Sequence, residues 1–218
     1  MEKDRNNKLI LRYMLFSAGL LFNAFGVALI TKASLGTTPI AALPYTLSLI
    51  MTKLTLGNFT IIISMLLILA QILILRKKEY LLDILLQIPI SFFFGYVIDF
   101  SMWFLTGFTP ESYIVKMAAL LAGCVVIGFG AYFEVVASVT MLPADGFSRA
   151  IAFVSGKEFG TIKLITDSAQ ALTALILGLV FLHGLAGVRE GTVIGALLIG
   201  NLVKLIGRVW KLEKRFIS

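Results

Sequence analysis

The sequence has 218 residues, of which 59% are apolar and 14% are charged. Soluble domains carry roughly a quarter charged residues, so this composition excludes an ordinary water-soluble globule and indicates a multi-pass membrane protein with the lipid bilayer as its solvent. The net charge of +7 does not indicate a nucleic-acid partner, because the basic residues lie near the ends of apolar runs, where they contact headgroups and set orientation.

The first half contains three apolar runs that are long enough to span a bilayer, which takes about 20 residues. They cover residues 9–30, 59–75 and 81–105. A polar break at residues 31–38 follows the first run, and Pro39 then begins a shorter apolar piece that ends near residue 55. The basic residues before the first run are also typical of a signal peptide, but the length of the run favours a retained first helix.

The second half repeats this order. Long runs cover residues 113–136, 161–182 and 191–210, and a basic tail follows at residues 211–218. The short piece here lies in the sequence M-L-P-A-D-G-F-S-R at residues 141–149. Pro143 lacks a backbone N–H and Gly146 is conformationally permissive, so we expect the helix to break here and a new one to begin at Pro143.

An internal repeat relates the two halves. The first long helix of each half and the break after it align at one shift of 104 residues. The segments that follow align at slightly different shifts, 103 residues for Gly57 onto Gly160 and 105 residues for Gly95 onto Gly200. We therefore predict an all-α transmembrane bundle of two repeats, residues 1–106 and 107–218, within a single integrated membrane domain. A single shift of 104 residues aligns Ala18-Gly19 with Ala122-Gly123, Phe25-Gly26 with Phe129-Gly130, Ala33-Ser34 with Ala137-Ser138, and Pro39 with Pro143.

The two short pieces decide the symmetry of the repeats. If they cross the membrane, there are eight spans and the halves are parallel. If they are re-entrant half-helices, there are six spans and the halves are inverted. The distribution of Lys and Arg favours six spans with both termini cytoplasmic, because eight spans would place the basic cluster at residues 76–78 outside. Both layouts stay open at this point.

Helix breaks at membrane depth are candidate binding sites, because a broken backbone is tolerated in a bilayer only where protein or a water-filled cavity covers it. Secondary transporters are built from repeats and bind solute at the ends of discontinuous helices. The corresponding half-helix ends in this sequence are Pro39, Pro143 and Gly146.

Ionisable groups inside the spans are functional candidates, because charge within a membrane is costly. Asp145 and Arg149 are four residues apart, so on a helix they share a face. They are read either as solute ligands or as an internal ion pair. A small polar or charged solute, coupled to a proton or a cation, is predicted to bind the following residues: Asn23, Glu134, Asp145, Arg149, Asp167 and Gln170.

Asp99 and Lys204 occupy equivalent repeat positions with opposite charge. They are candidates for a salt bridge between the repeats. The alternative is that both extend towards the interface from the ends of their spans, and their positions favour this second interpretation.

Enzyme motifs are absent from the sequence. It contains no Walker A motif, no G-x-S-x-G and no H-E-x-x-H, and a single His with a single Cys cannot build a usual zinc site. We therefore predict no enzymatic activity, cofactor or metal. The leading hypothesis is a solute transporter that works by alternating access between two repeats, as a monomer or a homo-oligomer. The alternative is a non-transporting membrane partner or regulatory subunit whose buried charges are structural.

Several motifs resemble the YczE/YyaS/YitT group of bacterial integral membrane proteins. They are L-P-A-D-G-F-S-R-A-I, E-F-G-T-I-K and G-V-R-E-G-T-V-I-G-A-L-L-I-G in the second half, and A-S-L-G-T-T-P in the first. The group commonly has a G-P-R-D-G-like run where this chain has P-A-D-G, so Asp145 and Gly146 match and the preceding arginine is missing. The resemblance implies a multi-pass protein of the bacterial plasma membrane; the group is largely uncharacterised, so it implies no particular solute.

Overall fold

The structure is a computed structural model that describes residues 2–76 and 78–210. The basic tail predicted at residues 211–218 lies outside the described residues. Within them every regular element is helical, which confirms the all-α prediction. The helices are α1 (Glu2–Lys32), α2 (Pro39–Ile50), α3 (Leu56–Leu75), α4 (Leu81–Leu85), α5 (Gln87–Phe104), α6 (Tyr113–Ala137), α7 (Pro143–Ser155), α8 (Phe159–Phe181) and α9 (Glu190–Trp210), and a 3-10 turn (Lys78–Tyr80) precedes α4.

Six helical segments of the described chain are long and apolar enough to cross a membrane, which confirms the multi-pass prediction. The helices α2 and α7 have only 12 and 13 residues. At 1.5 Å per residue they are about 20 Å long at most, well short of the roughly 30 Å hydrocarbon core. The six long segments are Leu9–Lys32, Leu56–Leu75, Leu81–Phe104 (α4 with α5), Tyr113–Ala137, Phe159–Phe181 and Glu190–Trp210.

The centre of the bundle is an antiparallel pair formed by α1 and α6. A β-carbon placed on Gly19 would lie 2.8 Å from the carbonyl oxygen of Gly130, and one on Gly26 would lie 3.0 Å from that of Gly123. Near the start of α1, Arg12 Nε donates to the carbonyl oxygen of Ala137, at the end of α6. Positions therefore rise along α1 as they fall along α6. The absent side chains allow the two backbones to approach closely, as small residues do between membrane helices.

The other helices are arranged around this pair. Helix α5 packs on α1 and α9 packs on α6, while α2 packs on α8 and α7 packs on α3. Each short helix also packs on the long helix that follows it, α2 on α3 and α7 on α8. Helix α3 additionally packs on α5, whereas α8 and α9 lack a comparable contact with each other.

The two breaks before the short helices share one local feature. Ser34 and Ser138 both adopt the left-handed conformation, with φ of 59° and 46°, which ends α1 and α6. An arginine from a distant part of the chain donates to each serine carbonyl oxygen, Arg189 Nη1 to Ser34 at 3.2 Å and Arg12 Nη2 to Ser138 at 3.4 Å. These arginines satisfy carbonyl groups that the end of a helix leaves without an intrahelical partner.

Candidate functional site

The candidate site is organised around the first turn of α7. Pro143 is the first residue of α7, as Pro39 is of α2, and proline suits this position because its missing N–H would have no intrahelical partner. Gly146 lies inside α7 rather than at its break. A β-carbon there would lie 2.6 Å from Gln71 Oε1 and 2.7 Å from Gln87 Nε2, so the glycine permits close packing rather than a change of backbone direction.

A pair of buried glutamines holds the start of α7 against α3 and α5. Gln71 Nε2 donates to Gln87 Oε1 at 2.9 Å, and Gln87 Nε2 donates back to Gln71 Oε1 at 3.0 Å. Gln71 Nε2 also lies 3.2 Å from the carbonyl oxygen of Pro143. Since both amides are paired, their role here is to join three helices.

The charged centre of the site is an ion cluster between α7 and α8. Lys163 Nζ lies 2.5 Å from Asp145 Oδ1 and 3.2 Å from Asp167 Oδ2. The side chains of Asp145 and Asp167 are 28% and 17% exposed, respectively. One ammonium group therefore bridges carboxylates on two helices, beside a helix start that itself favours negative charge.

A second contact fixes α7 to α8 one turn away from the ion cluster. The hydroxyls of Ser148 and Thr166 lie 2.6 Å apart, and both side chains are buried. Their helices are thus joined by a hydroxyl pair and an ionic bridge, which sets the spacing of Asp145 and Asp167.

Glu134 and Asn23 extend the site onto the central helix pair. Asn23 Nδ2 in α1 donates to Glu134 Oε1 in α6 at 2.7 Å. The Asn23–Glu134 pair joins α1 to α6, as the ion cluster of Asp145, Lys163 and Asp167 joins α7 to α8, so the candidate site draws side chains from four helices.

Several buried oxygens at this site have no hydrogen-bond partner among the described residues. They are Asn23 Oδ1, Asp167 Oδ1 and Gln170 Oε1. All three are acceptors, and Asp167 and Gln170 lie three residues apart on one face of α8. A fourth unpartnered oxygen, Thr46 Oγ1, belongs to α2.

Arg149 is the predicted site residue that the fold leaves outside the cluster. It is exposed on α7, and its Nη1 lies 3.8 Å from Met141 Sδ. The proposed Asp145–Arg149 ion pair is therefore wrong. Lys163, on α8, is the partner of Asp145, while Arg149 lies exposed next to Met141.

Lys163 is the residue of the ion cluster that the sequence analysis did not single out. A signal was present in the sequence. Lys163 and Asp167 are four residues apart within an apolar run, a spacing that brings opposite charges together on a helix. Its second partner, Asp145, is 18 residues away and could be identified only from the packing of α7 on α8.

Asp99 has a local structural role at the opposite end of the bundle. Its carboxylate accepts a hydrogen bond from the backbone N–H of Gly57 at 2.8 Å and one from Thr55 Oγ1 at 2.6 Å. It therefore satisfies the start of α3. Lys204 is exposed, so the proposed Asp99–Lys204 salt bridge is not formed, and Asp99 binds protein groups rather than extending towards the interface.

A cavity of about 830 Å³ opens at the same end as Asp99. It lies among the end of α1, α2, the end of α5 and the start of α6. Its lining is polar and mixed in charge, with hydroxyls interspersed among acidic and basic groups; it includes Lys32, Tyr45, Ser48, Asp99, Glu111 and Lys116.

Six apolar spans, two short proline-led helices and a charged cluster between helices define the class of this chain: a multi-pass α-helical membrane protein. Within that class, the chain belongs to a family described as a family of unknown function (DUF6198), whose profile matches residues 10–208. It is 27% identical over 209 residues to "Uncharacterized protein YyaS" of Bacillus subtilis (strain 168), covering 95% of this chain and 97% of that protein.

The match to YyaS confirms the predicted resemblance, and it covers both halves of the chain. No solved structure matches this chain.

Proposed function

We propose that the protein is a membrane transporter for a small polar or charged solute. The observation that carries the proposal is the group of ionisable side chains at the site. Glu134, Lys163 and Asp167 belong to helices long enough to span a bilayer, α6 and α8, and Asp145 lies in the first turn of the short helix α7. Charged groups in such segments are rare and usually mark solute or ion pathways. Solute binding beside a discontinuous helix is the arrangement that transporters built from repeats use.

The proposed architecture is a pair of inverted repeats with two re-entrant half-helices. The antiparallel packing of α1 on α6 supports it, because equivalent helices of parallel repeats would run in the same direction. In the proposed repeats α1 corresponds to α6, α2 to α7, α3 to α8 and α5 to α9. Under this correspondence three packed helix pairs have packed counterparts, as a two-fold axis requires: α1–α5 with α6–α9, α2–α8 with α7–α3, and α2–α3 with α7–α8. The matching ends at Ser34 and Ser138 add local support.

Alternating access requires a protein that is open on one face and closed on the other. The cavity lies at the end of the bundle that holds Asp99, where α1 ends. The ion cluster and the Gln71–Gln87 pair lie towards the other end, where α1 begins. In the proposed cycle the cavity admits solute from one side towards the ion cluster, while the amide contacts of Gln71 and Gln87 close the other side.

The proposed orientation places both termini and the ion-cluster end in the cytoplasm of a bacterial cell. Six spans keep the basic cluster at residues 76–78 on the same side as the N-terminal segment, in agreement with the positive-inside tendency. The cavity would then open to the outside.

Flux measurement tests the proposal. The full chain would be reconstituted into liposomes, and uptake of three labelled solutes of similar size would be measured: cationic ethanolamine, zwitterionic glycine and anionic acetate. Saturable uptake of at least one is expected, and Asp145→Asn and Asp167→Asn should each abolish it. Asp83→Asn, an exposed acid of α4, is the matched control and should transport normally. Absence of saturable uptake of all three would contradict the proposal, as would normal uptake by both site variants.

A non-transporting membrane partner or regulatory subunit is the second candidate function. The observation in its favour is that Lys163 already pairs with both Asp145 and Asp167, as a purely structural cluster would. The same variants separate the two candidates. In a structural cluster, loss of either acid lowers stability in proportion to the lost contact, and no solute changes the stability of the wild-type protein.

A further inference from the structure

The unpartnered atoms of the ion cluster indicate what kind of group the site binds. Asn23 Oδ1, Asp167 Oδ1 and Gln170 Oε1 are buried oxygens without a partner in the described chain. Asn23 is only 7% exposed, and its own amide group is held on Glu134. Buried acceptors are costly unless they receive hydrogen bonds, so a ligand that satisfies them must bring donors.

The charges of the cluster agree with that requirement. Two carboxylates, those of Asp145 and Asp167, surround one ammonium group, and that group, Lys163, is already bound to both of them. The first turn of α7, where backbone amides would otherwise attract an anion, contains Asp145 itself. Arg149 is turned outward and exposed. An anionic ligand would therefore meet acceptors and negative charge.

Lys163 displays the geometry that a bound cation would use. Its Nζ lies 2.5 Å from one carboxylate and 3.2 Å from another, and these carboxylates belong to different helices. A bare metal ion is a poorer fit, because no group of three His, Cys, Asp or Glu side chains in the described residues is close enough to hold one. A larger cation with several N–H donors can contact acceptors that are spread over separate helices.

We propose that the cluster of Glu134, Asp145, Asp167, Asn23 and Gln170 binds a small organic cation that carries N–H groups, such as a primary amine or a guanidinium compound. The proposal deepens the transport function proposed above and rests on it for the site's role. The ammonium group of the ligand takes up the free acceptors on α1 and α8, beside the ammonium group of Lys163.

Thermal unfolding of the purified full chain in detergent tests the proposal. The probes are ethylammonium chloride, tetramethylammonium chloride, sodium chloride and sodium acetate at equal ionic strength. Ethylammonium should raise the melting temperature by roughly 5–10 °C at a concentration near 100 times its Kd. Tetramethylammonium has charge but no N–H, and neither it nor the sodium salts should do so.

Two site variants connect this effect to the cluster. Asp167→Asn should lose most of the ethylammonium shift, while Asp83→Asn should keep it. Gln170→Met removes one free acceptor without removing a charge, so it should weaken binding about tenfold even if Asp167→Asn does not fold. An equal shift in the wild type and both site variants would overturn the proposal, as would an equal or larger shift with sodium, tetramethylammonium or acetate.

The liposome experiment distinguishes this inference from the proposed function. Binding of ethylammonium without uptake of any solute would remove transport and keep the cation site. Saturable uptake of acetate but not ethanolamine would keep transport and remove the cation site.

Discussion

Gly26 of α1 and Gly123 of α6 meet where these two helices cross, and a β-carbon on Gly26 would lie 3.0 Å from the carbonyl oxygen of Gly123. The same helices meet a second time at Gly19 and Gly130. Shifted by 104 residues, Gly19 aligns with Gly123 and Gly26 aligns with Gly130. Exchanging residues by this shift therefore converts each contact into the other, which is what the inverted repeats proposed above would require.

The first prediction concerns this crossing. Gly130→Ala would place a β-carbon 2.7 Å from the carbonyl oxygen of Gly19 and 2.8 Å from the backbone nitrogen of Asn23. Backbone atoms cannot move aside cheaply, so we expect a loss of about 1–3 kcal/mol in the free energy of unfolding, measured as a lower melting temperature.

Gly200→Ala is the matched control for that substitution. Gly200 also lies inside a long helix, but a β-carbon there would have no neighbour within 4 Å. Because alanine is the better helix former, the control should be neutral or stabilising by about 0.5–1 kcal/mol. Similar melting temperatures for the two variants would contradict the close packing of α1 on α6.

The second prediction concerns the ionic bridge. Lys163→Met removes the partner of both Asp145 and Asp167 and leaves two carboxylates partly buried without a counter-charge. We expect a loss of about 1–3 kcal/mol in stability, below the value for fully buried pairs because these side chains keep some contact with solvent. Thermal unfolding of the purified protein measures it.

A compensating variant checks the cause of that loss. Adding Asp145→Asn and Asp167→Asn to Lys163→Met removes all three charges, so part of the lost stability should return. Lys53→Met, at an exposed lysine, should have little effect. If the triple variant is less stable than Lys163→Met alone, the loss does not come from uncompensated charge.

The third prediction concerns the start of α3. Asp99→Ala removes the acceptor of the Gly57 N–H and of Thr55 Oγ1. By analogy with loss of a helix cap, stability should fall by about 0.5–2 kcal/mol, and the melting temperature should fall with it. Asp83→Ala, which removes an exposed carboxylate, serves as the control. A melting temperature unchanged in Asp99→Ala would show that the contact contributes nothing to stability.

The fourth prediction follows from alternating access. Helices α3 and α5 are packed together, whereas α8 and α9, their counterparts in the proposed repeats, lack comparable packing. In the proposed transporter the two inverted repeats exchange conformations during the cycle, so we expect α8 to approach α9 in the opposite state. Thr55 and Asp99 correspond to Glu158 and Lys204 at the shifts of 103 and 105 residues, so the second pair consists of an acid and a base.

Disulfide formation in membranes measures this approach. Cys124, the free cysteine in the described chain, is first replaced by Ala. The Glu158→Cys/Lys204→Cys pair should then cross-link on mild oxidation, more slowly than the Thr55→Cys/Asp99→Cys pair. Each single variant should give no intramolecular product. Cross-linking of the Thr55/Asp99 pair alone would exclude the closed α8–α9 state.

Much of the architecture could be read from local patterns. Runs of about 20 apolar residues predict spans because the bilayer core has a defined thickness, and the part of the chain that the structure describes contains six helical segments of this kind. The short helices begin at Pro39 and Pro143 as expected. The partner of Asp145 could not be read in this way, since spacing along α7 favours the nearby base Arg149, whereas the actual partner Lys163 comes from a different helix, α8.

Composition and periodicity alone determined that this chain enters a membrane, how many long helices it has, and where its two short helices begin, because these properties depend on how each segment meets lipid. Only the tertiary structure decided that α1 and α6 run antiparallel, that Lys163 joins Asp145 to Asp167, and that Gln71 pairs with Gln87. Those outcomes depend on which helix faces pack together. Lipid is nearly as apolar as the side chains, so close fit and polar contacts between helices, rather than hydrophobicity, select the packing.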